Sequence, residues 1–283
     1  GCEGEGVEKP RWPCVGEIEL DGYSMRYRED LDNVLKDISV KIPAGTKVGV
    51  VGRTGAGKSS LLMALYRMGI VAGGAIRIDG KDISSVSLDE LRSGLAIVPQ
   101  EPMLFSGSIL YNLDPFNDYS QDAVWEALRA VSLQAYVLNL GEGLQSAVGE
   151  GGSNLSVGQR QLLCMARALL KGAKLLVLDE ATAAVDEETD VMIQAAVRKA
   201  CAGVTVVTIA HRLNTVMDYD KVMVLDAGQL VEYDSPQKLL QDPLSHFSQM
   251  VQRSRIRRNL SRGSSLGSSE MLSSLTTDQG NSV

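Results

Sequence analysis

The segment from Val48 to Leu65 leaves little freedom in how it can fold. Val48-Gly49-Val50-Val51 is a short, apolar, β-branched run, the composition of a strand buried on both faces of a parallel sheet. It passes directly into Gly52-Arg53-Thr54-Gly55-Ala56-Gly57-Lys58-Ser59 and then into the helical pattern Ser60-Leu61-Leu62-Met63-Ala64-Leu65. Glycines at 52, 55 and 57 permit turns that a Cβ forbids, so that successive backbone N–H groups can converge on one anion. Lys58 adds a point charge for β- and γ-phosphates and Ser59 a hydroxyl for Mg²⁺. The helix opening at Lys58 turns its positive end toward the same oxygens. An ordinary glycine turn before a helix is the plain alternative, and the order strand, loop, helix weighs against it.

A second buried strand, Leu175-Leu176-Val177-Leu178, ends in Asp179 and Glu180. Adjacent residues of an extended segment point to opposite sides, so the two carboxylates are expected to do different work. Asp179 suits the shell of Mg²⁺, which keeps most of its waters and takes one or two carboxylates. Glu180 is then free to orient, or accept a proton from, a water attacking the γ-phosphorus. A solvated acidic turn is the ordinary fate of such a pair, and the upstream loop argues against it here.

Leu155-Ser156-Val157-Gly158-Gln159 stands shortly before that strand. With this pentapeptide in place the chain resembles the nucleotide-binding domains of ABC transporters, over nearly all of Gly16 to about Arg253. The resemblance implies ATP and Mg²⁺ as ligands. It also implies a set of further roles. Gln100, following Leu95-Ala96-Ile97-Val98-Pro99, matches the Q-loop glutamine that reaches the metal. Asp186, in Ala184-Val185-Asp186, matches the D-loop. His211, after Thr205-Val206-Val207-Thr208-Ile209-Ala210, matches the switch histidine. Tyr27 matches the aromatic that stacks on adenine. Each has a simpler alternative: a turn residue for Gln100, a satisfied core histidine for His211, and packing for Tyr27, with Tyr23 as a nearby competitor. The other histidine, His246, sits in a polar C-terminal stretch.

The wording GRTGAGKSSL, PQEPMLFSGSILYNLDPF, EGGSNLSVGQRQLLCMARALL and LVLDEATAAVD is similar to the second, C-terminal nucleotide-binding domain of the multidrug-resistance-associated (C) subfamily. That implies an ATP-hydrolysing motor of a membrane exporter, working with a first nucleotide-binding domain and transmembrane domains of the same transporter. Ser156 and Gln159 also read as a capping box opening a helix over Arg160 to Leu170. A capped helix start presents N–H groups to an anion, and the family's use for it is a head-to-tail dimer in which the signature of one domain covers the γ-phosphate held by the other. Val157 stands where the usual signature has glycine, which adds bulk where backbone must approach phosphate. In isolation a monomer or weak homodimer is expected. An ATP-sensing gate of an ABC-type channel or channel regulator is the alternative, and the intact Glu180 and His211 lean against it.

The net charge of −7 speaks against a nucleic-acid partner, since non-specific affinity is mainly phosphate neutralisation. The related DNA-maintenance ATPases insert long heptad-rich arms between loop and signature, and no sustained heptads occur between Lys58 and Asp179. No apolar run reaches the ~18–20 residues of a membrane span. The transport pathway is therefore expected elsewhere, and the resemblance implies a position on the cytosolic face of a membrane. Gly1 in place of methionine reads as an excised fragment. The four cysteines, Cys2, Cys14, Cys164 and Cys201, have neither metal spacing nor an evident disulfide framework.

The expected fold is α/β, of P-loop ATPase type, with a mixed β core, an antiparallel β subdomain and a helical lobe bearing the signature. Residues 1–15 read as linker, 16–253 as the domain, about 116–168 as the helical lobe, and 254–283 as a Ser/Arg-rich tail without apolar periodicity. Glu17 to Arg28 and Val34 to Ile42 alternate as antiparallel strands do, and Gly45 to Gln100 is expected to build the nucleotide core. In the tail, Ser261 follows the Arg253–Arg258 cluster at the spacing of a basophilic kinase site, and the cluster alternatively suits anionic lipid.

Overall fold

Alternation of apolar residues divides the strands between two sheets. The computed structural model describes residues 12–179, 187–210 and 212–254. In chain order the strands are β1 (Ile18–Arg26), β2 (Leu35–Ile42), β3 (Lys47–Val51), β4 (Ile70–Ile78), β5 (Lys81–Asp82), β6 (Leu95–Val98), β7 (Gly107–Ser108), β8 (Ala147–Val148), β9 (Leu175–Asp179), β10 (Thr205–Ile209), β11 (Lys221–Asp226) and β12 (Gln229–Asp234). The helices are α1 (Lys58–Leu65), α2 (Leu88–Gly94), α3 (Ile109–Leu113), α4 (Gln121–Ala130), α5 (Gln134–Asn139), α6 (Val157–Leu170), α7 (Glu187–Ala200) and α8 (Pro236–Gln241). A last helical run covers residues 246–254.

The six-stranded sheet has the order β12-β11-β3-β10-β9-β6. Its pairs from β11 to β6 are parallel, and β12 is an antiparallel edge. The phosphate-loop strand β3 lies at its centre. Burial on both faces explains the unbroken apolar runs: in β9, Leu175 and Val177 enter the core shared with α1 and the antiparallel sheet, while Leu176 and Leu178 enter the core under the helical lobe.

The second sheet is antiparallel, in the order β2-β1-β4-β5. It corrects the expectation that Gly45 to Gln100 builds the nucleotide core, since β4 and β5 of that segment belong to this sheet. Strand β4 runs beside β1, from Ile18 opposite Ile78 to Arg26 opposite Ile70, with register shifts near Gly73 and Gly74. In its second half Ile76 and Ile78 are buried while Ala75 and Arg77 are only partly covered. That period of two belongs to a sheet with one wet face.

The two sheets are tied together at the chain's approach to β1. The Asp79 carboxylate accepts from the backbone N–H groups of Cys14, Val15, Gly16 and Glu17 at 2.6–3.0 Å. Thr205 of β10 donates its hydroxyl to Gly16 O at 2.6 Å and accepts from Gly45 N at 2.9 Å. A carboxylate holding several N–H groups is a strong anchor, so Cys14 to Glu17 are fixed against both sheets.

Helical segments α3 to α6 form one cluster over Ala96, Val98, Leu176 and Leu178. The helices α2, α3, α4, α6 and α8 each start at a serine whose hydroxyl accepts a backbone N–H: Ser87, Ser108, Ser120, Ser156 and Ser235. Among the described residues no helix is long and apolar enough to cross a membrane. Cys164 and Cys201 are buried free thiols, with burial pushing both thiols up, that of Cys201 to about 11. Cys14, in contrast, is disulfide-bonded, which the sequence did not announce. The tail features at Ser261 and beyond Ser254 lie outside the described residues.

Candidate functional site

Helix α1 differs from the serine-capped helices. Its N-cap is Gly57, at φ 105°, and no side chain caps it. Its first N–H groups therefore keep no side-chain acceptor and point with the helix dipole into the glycine loop. A Cβ on Gly57 would press on Leu35 Cδ2 at 3.1 Å, and one on Gly52, at φ 157°, would collide with the Leu225 carbonyl oxygen. Gly52 needs glycine for space, and both positions need it for backbone angle.

Lys58 is 6% exposed. Its ammonium donates to the Gly52 and Arg53 carbonyls at 3.0 and 3.1 Å, which places the charge over the loop. A buried lysine head held at backbone carbonyls is ready for an anion on the same side. Beside it opens a cavity of about 520 Å³, lined by Tyr27, Lys36, Thr54, Gly55, Lys58 and Ser59 among others. The volume is in the range of small-ligand and cofactor sites.

Tyr27, just past β1, is 44% exposed while its hydroxyl lies 2.8 Å from Ser60 Oγ on α1. The ring is thus anchored at one end with its face open to the cavity. Tyr23 is 3% exposed and belongs to the core of the antiparallel sheet, so the structure separates the two tyrosines that the sequence left in competition. Sequence reasoning missed Asn33, Val34, Lys36 and Ala227, which line the same cavity. The Ala227 turn is held by Gly228 N donating to Ala56 O and by Lys36 N donating to Gly228 O, at 3.0 and 2.8 Å. The Ala227-Gly228 turn signal was legible, but its approach to the loop depends on β11 lying beside β3.

Asp179 ends β9, opposite Ile209 of β10. Among the described residues no three His, Cys, Asp or Glu side chains cluster as metal ligands. A serine hydroxyl, one carboxylate and phosphate oxygens form a donor set that suits Mg²⁺. Gln100 is exposed beyond β6, and its carbonyl accepts from Gln161 Nε2 at 3.2 Å. Neither Asp179 nor Gln100 lines the cavity. Glu180, Asp186 and His211 lie outside the described residues.

The signature forms the expected capping box. Ser156 Oγ accepts from Gln159 N at 3.1 Å, and Gln159 Oε1 accepts from Ser156 N at 2.9 Å. The helix starts at Val157, three residues before the expected Arg160. The N–H groups of Val157 and Gly158 are left without intrahelical partners. None of Ser156, Val157, Gly158 or Gln159 lines the cavity, so the structure does not bring the signature to the phosphate loop of the same chain.

A family profile described as "ABC transporter" matches residues 35–183. The chain is 54% identical over 242 residues to multidrug resistance protein mrp-7 of Caenorhabditis elegans, covering 86% of this chain and 16% of that protein. It is 58% identical over 236 residues to ATP-binding cassette sub-family C member 2 of Rattus norvegicus, covering 83% of this chain and 15% of that protein. Among solved structures it is similar to a bacterial Atm1-family ABC exporter with ATP bound, at 35% identity and a TM-score of 0.79, covering 85% of this chain and 42% of that one. The chain thus spans about a sixth of the length of these curated relatives.

Proposed function

The chain belongs to the ABC transporter family as an ATP-hydrolysing domain, and we propose that it is the second, C-terminal nucleotide-binding domain of a C-subfamily exporter. The observation that carries the nucleotide site is the buried Lys58 ammonium over the glycine loop, next to a cavity that Tyr27 borders. In this reading the Tyr27 ring stacks on adenine. The backbone of Gly52 to Ser60, including Arg53, Thr54, Gly55, Ala56 and Gly57, cradles the phosphates, with Lys58 neutralising them. Ser59, Gln100 and Asp179 would hold Mg²⁺, which supplies charge neutralisation at the β- and γ-oxygens.

Glu180 is proposed to orient the attacking water and take its proton, with His211, Gln100 and Asp186 completing the catalytic set. Ser156, Val157, Gly158 and Gln159 are proposed to serve a γ-phosphate held by a partner domain, since they lie away from the cavity of their own chain. Partners are then a first nucleotide-binding domain and the transmembrane domains of one transporter, on the cytosolic side of a membrane. Residues 16–253 form the motor domain, with 1–15 as linker and 254–283 as tail.

Titration calorimetry of the chain with ATP tests the site. Binding is expected with Mg²⁺ and is expected to weaken in Ser59→Ala, whose lost hydroxyl contacts the metal. Equal affinity with and without Mg²⁺ for both proteins would remove Ser59 from the metal site.

A further inference from the structure

Helix α6 and its C-cap residue Lys171 carry side-chain donors that find backbone carbonyls on α2, β6, α3 and the segment between β6 and α3. Gln161 donates to Gln100 O at 3.2 Å. Arg167 donates through Nε to Asn112 O at 2.7 Å and through Nη1 to Met103 O at 3.3 Å. Lys171, at the end of the helix, donates to Leu95 O at 2.6 Å and Arg92 O at 3.0 Å. Arg167 also donates through Nη2 to Asn112 Oδ1 at 3.4 Å; the other bonds go to main-chain carbonyls and so follow the path of the chain, not side-chain identity.

Gln161 is the exceptional member. It is 1% exposed, and its Oε1 is buried without accepting a hydrogen bond. The amide cannot be turned round, because a carbonyl is its partner and only the nitrogen can face it. A leucine would fill the same space without an orphaned oxygen. Its position supplies the reason for an amide: it lies two residues after Gln159, at the start of the signature helix, and touches the residue assigned to the metal.

We propose that Gln161 is a positioning residue that ties Gln100 to the first turns of α6, so that displacement of Gln100 by bound nucleotide is passed to Ser156, Val157 and Gly158. The inference rests on the nucleotide reading given above. The orphaned Oε1 fits the same role, since it leaves the amide an acceptor for a loop N–H once Gln100 shifts. Gln161 acts through Gln100 and not on the nucleotide itself.

Hydrogen exchange of the 283-residue chain with and without MgATP separates the possibilities. In wild type MgATP is expected to slow exchange at 52–65, at 100–112 and at 156–163. In Gln161→Leu, and in Gln161→Met should the leucine variant fail to fold, protection at 52–65 is expected to persist while the response at 156–163 is lost. ATP affinity is expected to stay within about twofold of wild type, since no cradle residue changes. A response at 156–163 that is unchanged in these variants, or missing in wild type, would overturn the tie while leaving the nucleotide site standing. Absence of protection at 52–65 in wild type would overturn the nucleotide reading and the tie together.

Discussion

The Tyr27 hydroxyl sits 2.8 Å from the Ser60 hydroxyl, joining the antiparallel sheet to the first turn of the phosphate-loop helix. The bond fixes the ring without covering its face. Tyr27→Ala is expected to weaken ATP binding by the stacking contribution, about 1–3 kcal/mol or roughly 5- to 150-fold. Tyr27→Phe keeps the face and loses only the bond, so its effect is expected to stay under about 1.5 kcal/mol. Calorimetric titration of both variants checks this, and an affinity in Tyr27→Ala equal to wild type would take the adenine elsewhere.

Lys58→Met is expected to weaken nucleotide binding more than Glu180→Gln does. The first removes a buried charge from the phosphates it compensates. The second keeps size and hydrogen bonding but loses a base, whose contribution is commonly about 10²–10⁴-fold in rate. Glu180→Gln should therefore bind ATP nearly as wild type and turn over far more slowly in the assembled protein. Calorimetry and phosphate release measure the two effects separately, and near-normal hydrolysis by Glu180→Gln would assign the base to another residue.

The strand, loop and helix from Val48 to Leu65 were readable because each obeys a local rule: a doubly buried β-branched run, glycines at strained angles, and an uncapped helix start. The capping box at Ser156 was readable for the same reason, since its partners lie three residues apart. What sequence hid was long-range. Strand β4 was expected in the nucleotide core, yet it pairs with β1, whose residues lie 44 to 60 positions earlier, and no local pattern states a partner. Lys36 and Ala227 reach the cavity from opposite ends of the domain, brought there by β-strand neighbours and not by any motif. Tyr23 lies within β1 and is buried, whereas Tyr27 lies just past its end and is exposed, and no local pattern marks where the strand stops.

Ser156→Ala should destabilise the fold without affecting the chain's own nucleotide site. The hydroxyl caps α6, a contribution of about 0.5–2 kcal/mol, whereas the cavity beside Lys58 has no lining residue from the signature. The expected result is a fall in Tm of about 2–4 °C per kcal/mol with unchanged ATP affinity. A clear loss of affinity in the monomeric chain would show that Ser156 touches the nucleotide in cis.

Asp234 makes the β12 end sensitive to acid. Hydrogen bonding to Lys238, then to the Ser235 N–H and to Lys221, holds its carboxyl well below the usual carboxylate range. A carboxylate with a lowered folded-state pKa contributes stability above its unfolded value, near 3.9, and loses that contribution as pH falls further. Asp234→Asn is therefore expected to melt below wild type at neutral pH, with the gap narrowing below about pH 4. Melting curves of both proteins across that range check the sign, and a gap that widens in acid would contradict it.

Val157 packs its side chain against the cluster under the helical lobe at the first residue of α6. Val157→Gly is thus expected to have two opposed effects. It removes that packing and adds backbone freedom at a helix start, so the chain should melt earlier, by a contribution of about 1 kcal/mol. It also clears bulk from the segment proposed to approach a partner's γ-phosphate. In a Glu180→Gln background, where bound ATP persists, Val157→Gly should shift sedimentation toward dimer as ATP is added, despite its lower intrinsic stability. The cognate first nucleotide-binding domain should pair more tightly than a second copy, because that surface is matched to it. A tight wild-type homodimer with rapid turnover and no partner would remove the asymmetric pair from the reading of this domain.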